Sequence, residues 1–443
     1  MELDGKLTGM EESYLETKSA VDKLKKIKVS GYLQAQFRTA LNYEDATDTF
    51  VSHKTPGTYA YPVGDFAGGG FGTGIGSEFQ IRRGRVKVAY EADITQAVFQ
   101  IDIVPFKTLK VMTDTVGGGK KNAKPVLSGG GVSVKDAYLR FADPWLKSFA
   151  IKGGIYDRPF GFEISYSSSS RESPERSRMF QTLFPGERDV GVSLEYAGAD
   201  NLPPAAQMFN LKAGLFTGNG INVETDNNRD FIGRLGFSIP IHQANISIDG
   251  GVSGYAGNVT TLNDTVMEFS SSSKSWVKSA AYKKYDNVAR QYGGGDVQLY
   301  FGNIPVLGGL SLRGEYIQGF QPGSSSSSKS PSSDITSSSP VYRRSFNGWY
   351  GLLIQNVDPL RSQLVVKYDT YDPNTKVEGA DVTSAADMAY NTLGLGLVYH
   401  WDENVKFIGY FDIVTNEEIA AAPYTKAADV MDNVFTFRIQ YKF

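Results

Sequence analysis

The sequence contains no cysteine, which excludes disulfides, thiolate-held zinc and thiol catalysis. It has only three histidines, His53, His242 and His400. They fall in a long connector, a short turn and a strand end, so they converge on no metal or catalytic site, and neither a cofactor nor a metal is expected. Apolar runs of the roughly 18 residues that a bilayer-spanning helix needs are missing as well. Charge of either sign is not in excess: 45 Lys and Arg stand against 48 Asp and Glu, for a formal net charge of −3, which gives no reason to expect a nucleic-acid partner. Met1 to Lys28 is charged throughout and lacks the apolar stretch of a signal peptide, so a leader is expected to lie outside this numbering if the chain is exported.

What is present favours strands. The 443 residues include 48 Gly, 25 Tyr and 26 Phe, so turn formers and strand formers are both abundant. Mean hydropathy is −0.28, as expected of a membrane barrel, whose strands turn only alternate residues to lipid.

From Lys28 onward, sixteen segments alternate apolar and polar residues with period two. They are Val29–Thr39, Phe79–Asp93, Ala97–Val104, Val132–Phe141, Phe149–Asp157, Asp189–Gly198, Met208–Phe216 and Phe231–Ile239. The second half supplies Ala244–Gly254, Asp296–Gly302, Leu310–Gln318, Phe346–Asn356, Gln363–Tyr371, Asn391–Tyr399, Val405–Val414 and Val434–Phe443. Connectors alternate between short turns such as Ile94–Gln96 and Pro240–Gln243 and long Gly-, Ser- and charge-rich stretches such as Ala40–Ser77, Pro105–Gly131 and Ala256–Gly294. Short turns on one rim and long loops on the other predict an all-β fold: a sixteen-stranded antiparallel transmembrane β-barrel of a bacterial outer membrane. Both termini and the short turns would be periplasmic, with the long loops, including the serine-rich Ser324–Ser339, extracellular.

The barrel occupies residues 28–443, and residues 1–27 precede it as a separate unit. Leu3, Leu7, Met10, Tyr14, Val21 and Leu24 keep a four-three spacing interrupted by Thr17, the pattern of a short coiled coil. A stripe so narrow predicts either a periplasmic stalk joining copies of the chain, three for preference, or a helix packed on its own barrel.

The connector 158–188 stands apart from the others. It follows a Pro-Phe-Gly turn with four serines and a dense set of charges: Arg158, Arg171, Glu172, Glu175, Arg176, Arg178 and Arg188. In a barrel that encloses water, such a loop can fold inward and form a constriction. Its charges can pin it to the wall by ion pairs, face a permeant, or divide between the two. On the strand faces opposite the apolar ones lie Arg83, Arg85, Lys87, Arg140, Lys152, Arg234, Arg313 and Lys367, which would line the lumen and lower the barrier for anions. Asp102, Asp136, Glu195, Asp249, Glu315 and Asp369 share those faces. At the C-terminus Phe435, Phe437, Ile439, Tyr441 and Phe443 fall on one side, and the bare terminal Phe443 resembles the insertion signal of outer-membrane barrels.

These pieces together resemble the phosphate-selective porins, the porin O and P family. The resemblance rests on Arg82-Arg83-Gly84-Arg85, Lys135-Asp136-Ala137-Tyr138, GGIYDRPFGFE at 153–163 and FPGERDVGVSL at 184–194, followed by LFTGNG at 215–220, LRGEYIQG at 312–319 and VKYDTYDPN at 366–374. It implies a trimeric sixteen-stranded porin whose third external loop enters the lumen and whose basic residues conduct anions. The expected function is therefore passive diffusion of small hydrophilic solutes and ions, with an anion, phosphate-like preference. The expected partners are two further copies of the chain, outer-membrane lipid and small anions. The competing expectation is a closed-lumen barrel that serves as a surface anchor through its loops.

Overall fold

The computed structural model describes residues 2–40, 66–69, 76–104, 108–116, 120–128, 131–199, 201–222, 224, 226–329, 338–417 and 432–443. His53 lies outside them, as does 330–337 of the serine-rich connector. A helix, α1 (Glu2–Leu24), leads into β1 (Ile27–Ala40), β2 (Ser77–Glu91) and β3 (Thr95–Val104). After a separate hairpin of β4 (Thr108–Val116) and β5 (Lys120–Ser128) come β6 (Gly131–Ala142), β7 (Phe149–Asp157), β8 (Arg188–Ala197), β9 (Phe209–Phe216), β10 (Asp230–Ile241) and β11 (Ile246–Thr260). A second hairpin, β12 (Val266–Ser270) and β13 (Ser275–Lys278), precedes β14 (Asn287–Ile304), β15 (Gly308–Gly323), β16 (Val341–Val357), β17 (Ser362–Asp372), β18 (Tyr390–His400), β19 (Val405–Asn416) and β20 (Val434–Lys442).

Leaving out the two hairpins, sixteen strands pair antiparallel in chain order, and β1 closes the ring on β20 from Tyr32↔Lys442 to Ala40↔Val434. Closure leaves no open edge, as hydrocarbon requires, because an unpaired backbone N–H or C=O finds no water there. The seam continues past the last strand: the Phe443 N–H donates to Gly31 O at 3.0 Å and the Gly31 N–H donates to Phe443 O at 2.9 Å.

Each expected strand has its counterpart, and the faces follow the alternation. On β1, Val29 and Leu33 are exposed on the outside whereas Gln34, Gln36 and Arg38 are buried inside. Outward aromatics gather towards the two rims, with Tyr90, Phe141, Trp145, Trp401 and Tyr441 near the short turns and Tyr316, Trp349 and Tyr368 nearer the long loops, where interfacial rings sit. The long connectors carry more structure than their composition suggests. β11, β14, β15 and β16 extend into them, and β12 pairs in parallel with β16. These extensions lie past the lipid-facing band, where no hydrophobic alternation is needed to hold a strand.

Two bulges change the inner wall. Gln34 pairs with Arg83 but Ala35 pairs with Ile81, leaving Arg82 as an extra residue. Likewise Gln100 pairs with Asp136 but Ile101 with Val134, leaving Lys135 over. Strict alternation would turn both cations to lipid, a cost of about 2–4 kcal/mol each near the bilayer midplane. The bulges re-aim them inward, where Arg82 bonds Glu175 and Lys135 bonds Glu187.

The bore is not uniformly polar, contrary to the simplest reading of the alternation. Tyr156, Phe216, Ile232, Tyr255, Tyr292, Ile317, Phe346 and Tyr350 from the wall form one buried cluster with Phe160, Ile164, Met179, Phe180, Leu183 and Phe184 of the 158–188 connector. A sixteen-strand cylinder is too wide for wall side chains to fill, and the connector supplies the missing half of a core. Helix α1 packs differently: residues 13–24 are all exposed, Tyr14, Val21 and Leu24 among them.

The absence of native cysteine makes the bulge geometry directly testable. Single variants Arg82→Cys and Lys135→Cys should react with a charged, membrane-impermeant thiol reagent entering through the bore. Leu139→Cys, on the outer face, should react only with a lipid-soluble one. Equal protection of all three from the charged reagent would contradict the inward placement.

Candidate functional site

The 158–188 connector leaves the wall where Asp157 pairs with Arg188. Arg158 donates to Asp189 at 3.0 Å, and both are buried. The Pro-Phe-Gly turn then reverses the chain. Gly161 sits at φ +60, and a Cβ there would lie 2.3 Å from Glu315 Oε2, so only glycine fits. Glu315, on β15, accepts the backbone N–H of Phe162 at 2.9 Å and of Glu163 at 2.5 Å, and the Tyr350 hydroxyl at 2.6 Å. Glu163 in turn takes Lys367 at 2.8 Å and the Ser177 N–H at 2.9 Å. The next element, α2 (Arg178–Leu183), lies against β16 at Gly348, where an added Cβ would come within 3.0 Å of Met179 Sδ.

Across the bore the same segment bonds the opposite wall. Ser168 meets Tyr32, Gln34 and Arg85, while its neighbour Ser169 accepts from Gln440 at 2.8 Å. Arg313, on β15 with Glu315, ties Glu172 to the first wall at 3.1 Å, whereas on the opposite wall Lys406 donates to the Arg171 carbonyl at 2.9 Å. Glu175 is the centre of this side: Arg83 reaches it at 2.7 Å, Arg438 at 2.8 Å and Arg82 at 2.9 Å. Burial pushes the Glu175 carboxyl up, but Arg82, Arg83 and Arg438 together hold it well below the usual carboxylate range. Glu187 is held low in the same way by Arg176, Lys135 and Arg188 against its own burial. Six cations thus converge on Glu175, Glu187 and Asp136, the last bonded by Arg188 at 2.9 Å.

The sequence-predicted residues therefore divide. Arg83, Arg85, Arg313 and Lys367 lie on the inner wall and each bonds the connector. Arg140 pairs with Glu195 at 2.8 Å, Arg234 with Asp296 at 2.6 Å, and Lys152 rests 4.2 Å from the Tyr138 ring centre and 4.3 Å from that of Tyr156. These three are away from the connector's charges, on the sector from β6 to β10. Lys87 is half-buried on the inner face of β2. Of the connector's own charges, Arg158, Glu172, Glu175 and Arg188 hold it to the wall, while Arg176 bonds Glu187 and the carbonyls of Glu163, Ile164 and Tyr166. Arg171 is 2% exposed, and its three guanidinium nitrogens have no hydrogen-bond partner among the described residues. Burial and the neighbouring Arg176 and Arg83 push it well below its usual value.

Sequence reasoning missed Arg82 and Lys135, which alternation assigns to lipid until the bulges are seen, and Arg438, Lys406 and Glu163; Glu187 was legible as one of the connector's packed charges. Arg438 and Lys406 stood on inward faces and were readable as wall cations; their meeting with the connector was not. Arg82, Arg83, Arg85, Lys135 and Arg176 border one cavity of about 250 Å³, shared with Asp102, Glu175 and Glu187. Its lining carries more positive than negative groups. No group of His, Cys, Asp and Glu suited to a metal occurs among the described residues.

No protein-family model and no curated protein matches the chain. Solved structures do. OprB of Pseudomonas putida aligns at a TM-score of 0.50 with 9% identity, over 96% of this chain and 96% of that one. The outer membrane channel DcaP of Acinetobacter baumannii aligns at 0.49 with 10% identity over 94% and 97%, and an anion-selective porin from Comamonas acidovorans at 0.45 with 11% over 94% and 99%. At such identity the likeness to OprB speaks for the barrel fold alone.

Removing Glu175 should release the connector. Glu175→Gln leaves Arg82, Arg83 and Arg438 facing one another, and breaking a buried ion pair on one side costs about 3–5 kcal/mol; limited proteolysis should then cut within 158–188, where the unaltered chain resists. The pH dependence has a definite sign. A carboxyl held below its unfolded value stabilises above that value and loses the effect as pH falls through the folded one. The clasp should therefore persist through the ordinary carboxylate range and yield only in stronger acid. Proteolysis that sets in already near the ordinary carboxylate pKa would show that Glu175 is not the anchor.

Proposed function

We propose that this chain is an outer-membrane porin, a passive channel for small hydrophilic solutes and ions, with the 158–188 connector as its constriction and a preference for anions. The observation that carries this reading is the charged bore inside an apolar cylinder: Arg82, Arg83 and Arg85 of β2, Lys135 of β6 and Arg176 of the connector share too few carboxylates around one cavity. A field of that sign raises the local concentration of anions and lowers their barrier. The inner-wall cations away from the connector's charges, Arg140, Lys152 and Arg234, would continue the anion path towards the periplasm. Phosphate remains one candidate permeant within that class, as the sequence resemblance implies.

The barrel fold, its rims of aromatic side chains and its short periplasmic turns fit a bacterial outer membrane with the long loops outside. Three copies are proposed for the working assembly. The exposure of Tyr14, Val21 and Leu24 on α1 supports a stalk that buries its seam against other copies and not against its own barrel. A second reading has its own support. The connector bonds β1, β2, β15, β17 and β20 and packs aromatics against the sector between, so the bore is narrow, as a closed-lumen anchoring barrel would have it.

Conductance in planar bilayers separates the two. Steps in groups of three, with a reversal potential in a salt gradient set by the anion, are expected; a barrel that inserts without conducting would support the anchor, and a cation-set potential would refute the proposed selectivity. Light scattering of the purified protein should give three copies, and deletion of residues 2–24 should lower the stability of that assembly. A mass unchanged from a single copy would remove the stalk's proposed role.

A further inference from the structure

Arg178, like Arg171, is a connector arginine whose guanidinium has no hydrogen-bond partner among the described residues. Its guanidinium is stacked between two rings, 4.1 Å from the centre of Phe66 and 3.7 Å from that of Tyr390. The residue is 7% exposed, its Nε has no hydrogen-bond partner, and its terminal nitrogens make no hydrogen bond or ion pair among the described residues. The two rings fix the plane of the group and leave its edge turned to a small cavity.

On the far wall of that cavity stand Asp369 and Asp412, from β17 and β19. Between them runs β18, where Thr392 is the register partner of Asp369 and Gly394 that of Asp412. Asp369 accepts only the Arg178 backbone N–H, at 3.5 Å, and Asp412 has no partner among the described residues. Lys367 and Arg176, which also border the cavity, are taken by Glu163 and Glu187. Glu175 and Asp432 border the cavity as well, and Glu175 is taken by Arg82, Arg83 and Arg438. The Arg178 guanidinium and the carboxylates of Asp369 and Asp412 therefore border one open gap without closing it.

A simple anion meets the two aspartates there, and a simple cation meets Arg178. Only a solute with both charges satisfies both walls, because each charge-assisted hydrogen bond then forms without leaving an opposite group desolvated and unpaired. The cavity is about 40 Å³, which at roughly 10–15 Å³ per water is room for about three waters. That suits a compact head group whose remainder trails into the open bore.

We propose that this cavity is a binding site for zwitterionic solutes with an α-amino-acid head group, the carboxylate on Arg178 and the ammonium on Asp369 and Asp412. The assignment rests on the channel reading, which it narrows, and it concerns a cavity that adjoins the cation-rich one bordered by Arg82 and Lys135, with Glu175 and Arg176 lining both.

The test uses the whole chain in planar bilayers near neutral pH, with L-alanine as probe and propionamide, propionate and ethylammonium as controls of similar size. L-alanine should reduce the ion current in a saturable way, and propionamide should not. Asp412→Asn, on the wall, and Arg178→Gln, on the connector, should each raise the half-blocking concentration of L-alanine by about five- to tenfold. Block by propionamide equal to that by L-alanine, or block by L-alanine untouched in both variants, overturns the inference while leaving the channel intact. A barrel that does not conduct overturns the channel reading instead. In that case calorimetric titration of the detergent-solubilised protein with L-alanine still decides the site, with binding lost in Asp412→Asn expected and no binding to the unaltered chain refuting it.

Discussion

In hydrocarbon a backbone polar group has no water to fall back on, so a sheet crossing a bilayer must end on its own beginning. Here that condition is met at the β1 to β20 junction and extended by the reciprocal bonds between Gly31 and Phe443. The requirement propagates. An antiparallel ring in chain order needs short turns on one rim, an even number of strands, and side chains that alternate between lipid and lumen. The C-terminal residue thus acts as a structural part of the wall and is more than the end of a strand.

Closure creates a second problem, a bore too wide for wall side chains to fill. The chain resolves it with two chemistries on opposite sides of one segment. Towards the sector from β9 to β17 the connector buries Phe160, Phe180, Phe184 and Met179 in an aromatic core. Towards β1, β2 and β20 it is held by ions, with Glu175 shared among three guanidinium groups. Burying so much charge is tolerable because each carboxylate has several partners and the arginines reach carbonyls as well, as Arg176 and Arg438 do. In the proposed channel, the surplus of cations left after that pairing would shape the field a permeant meets. Arg82 and Arg83, which secure the connector, are also among the arginines that would act on a solute, which makes a strict division of charges between anchoring and conduction artificial.

Most of the wall was readable residue by residue, because period-two alternation is a direct imprint of a surface that is wet on one side and oily on the other. The expected strands agree with the observed ones to within a few residues in the lipid-facing band and fall short above it, at β11, β14, β15 and β16. Past the membrane no such imprint is required, and for the same reason the hairpins β4–β5 and β12–β13 left no pattern in their Gly- and Ser-rich connectors. The bulges at Arg82 and Lys135 escaped because a register shift is a property of two strands together. Either strand alone reads as regular, and each cation reads as facing lipid.

By itself, then, the order of residues determined that this chain makes a closed antiparallel wall with charged residues inside and one unusually charged connector, since those features follow from local periodicity and composition. Which charges meet was decided only in the tertiary structure. Glu175 lies more than 260 residues from Arg438 and more than 90 from Arg82, and their encounter depends on the bore's width, two register shifts and the direction in which a Pro-Phe-Gly turn sends the chain. That Arg178, near Asp369 and Asp412, has no side-chain partner among the described residues has the same origin: no local pattern marks a charge as free, because freedom from a partner is a statement about every other residue that could have reached it.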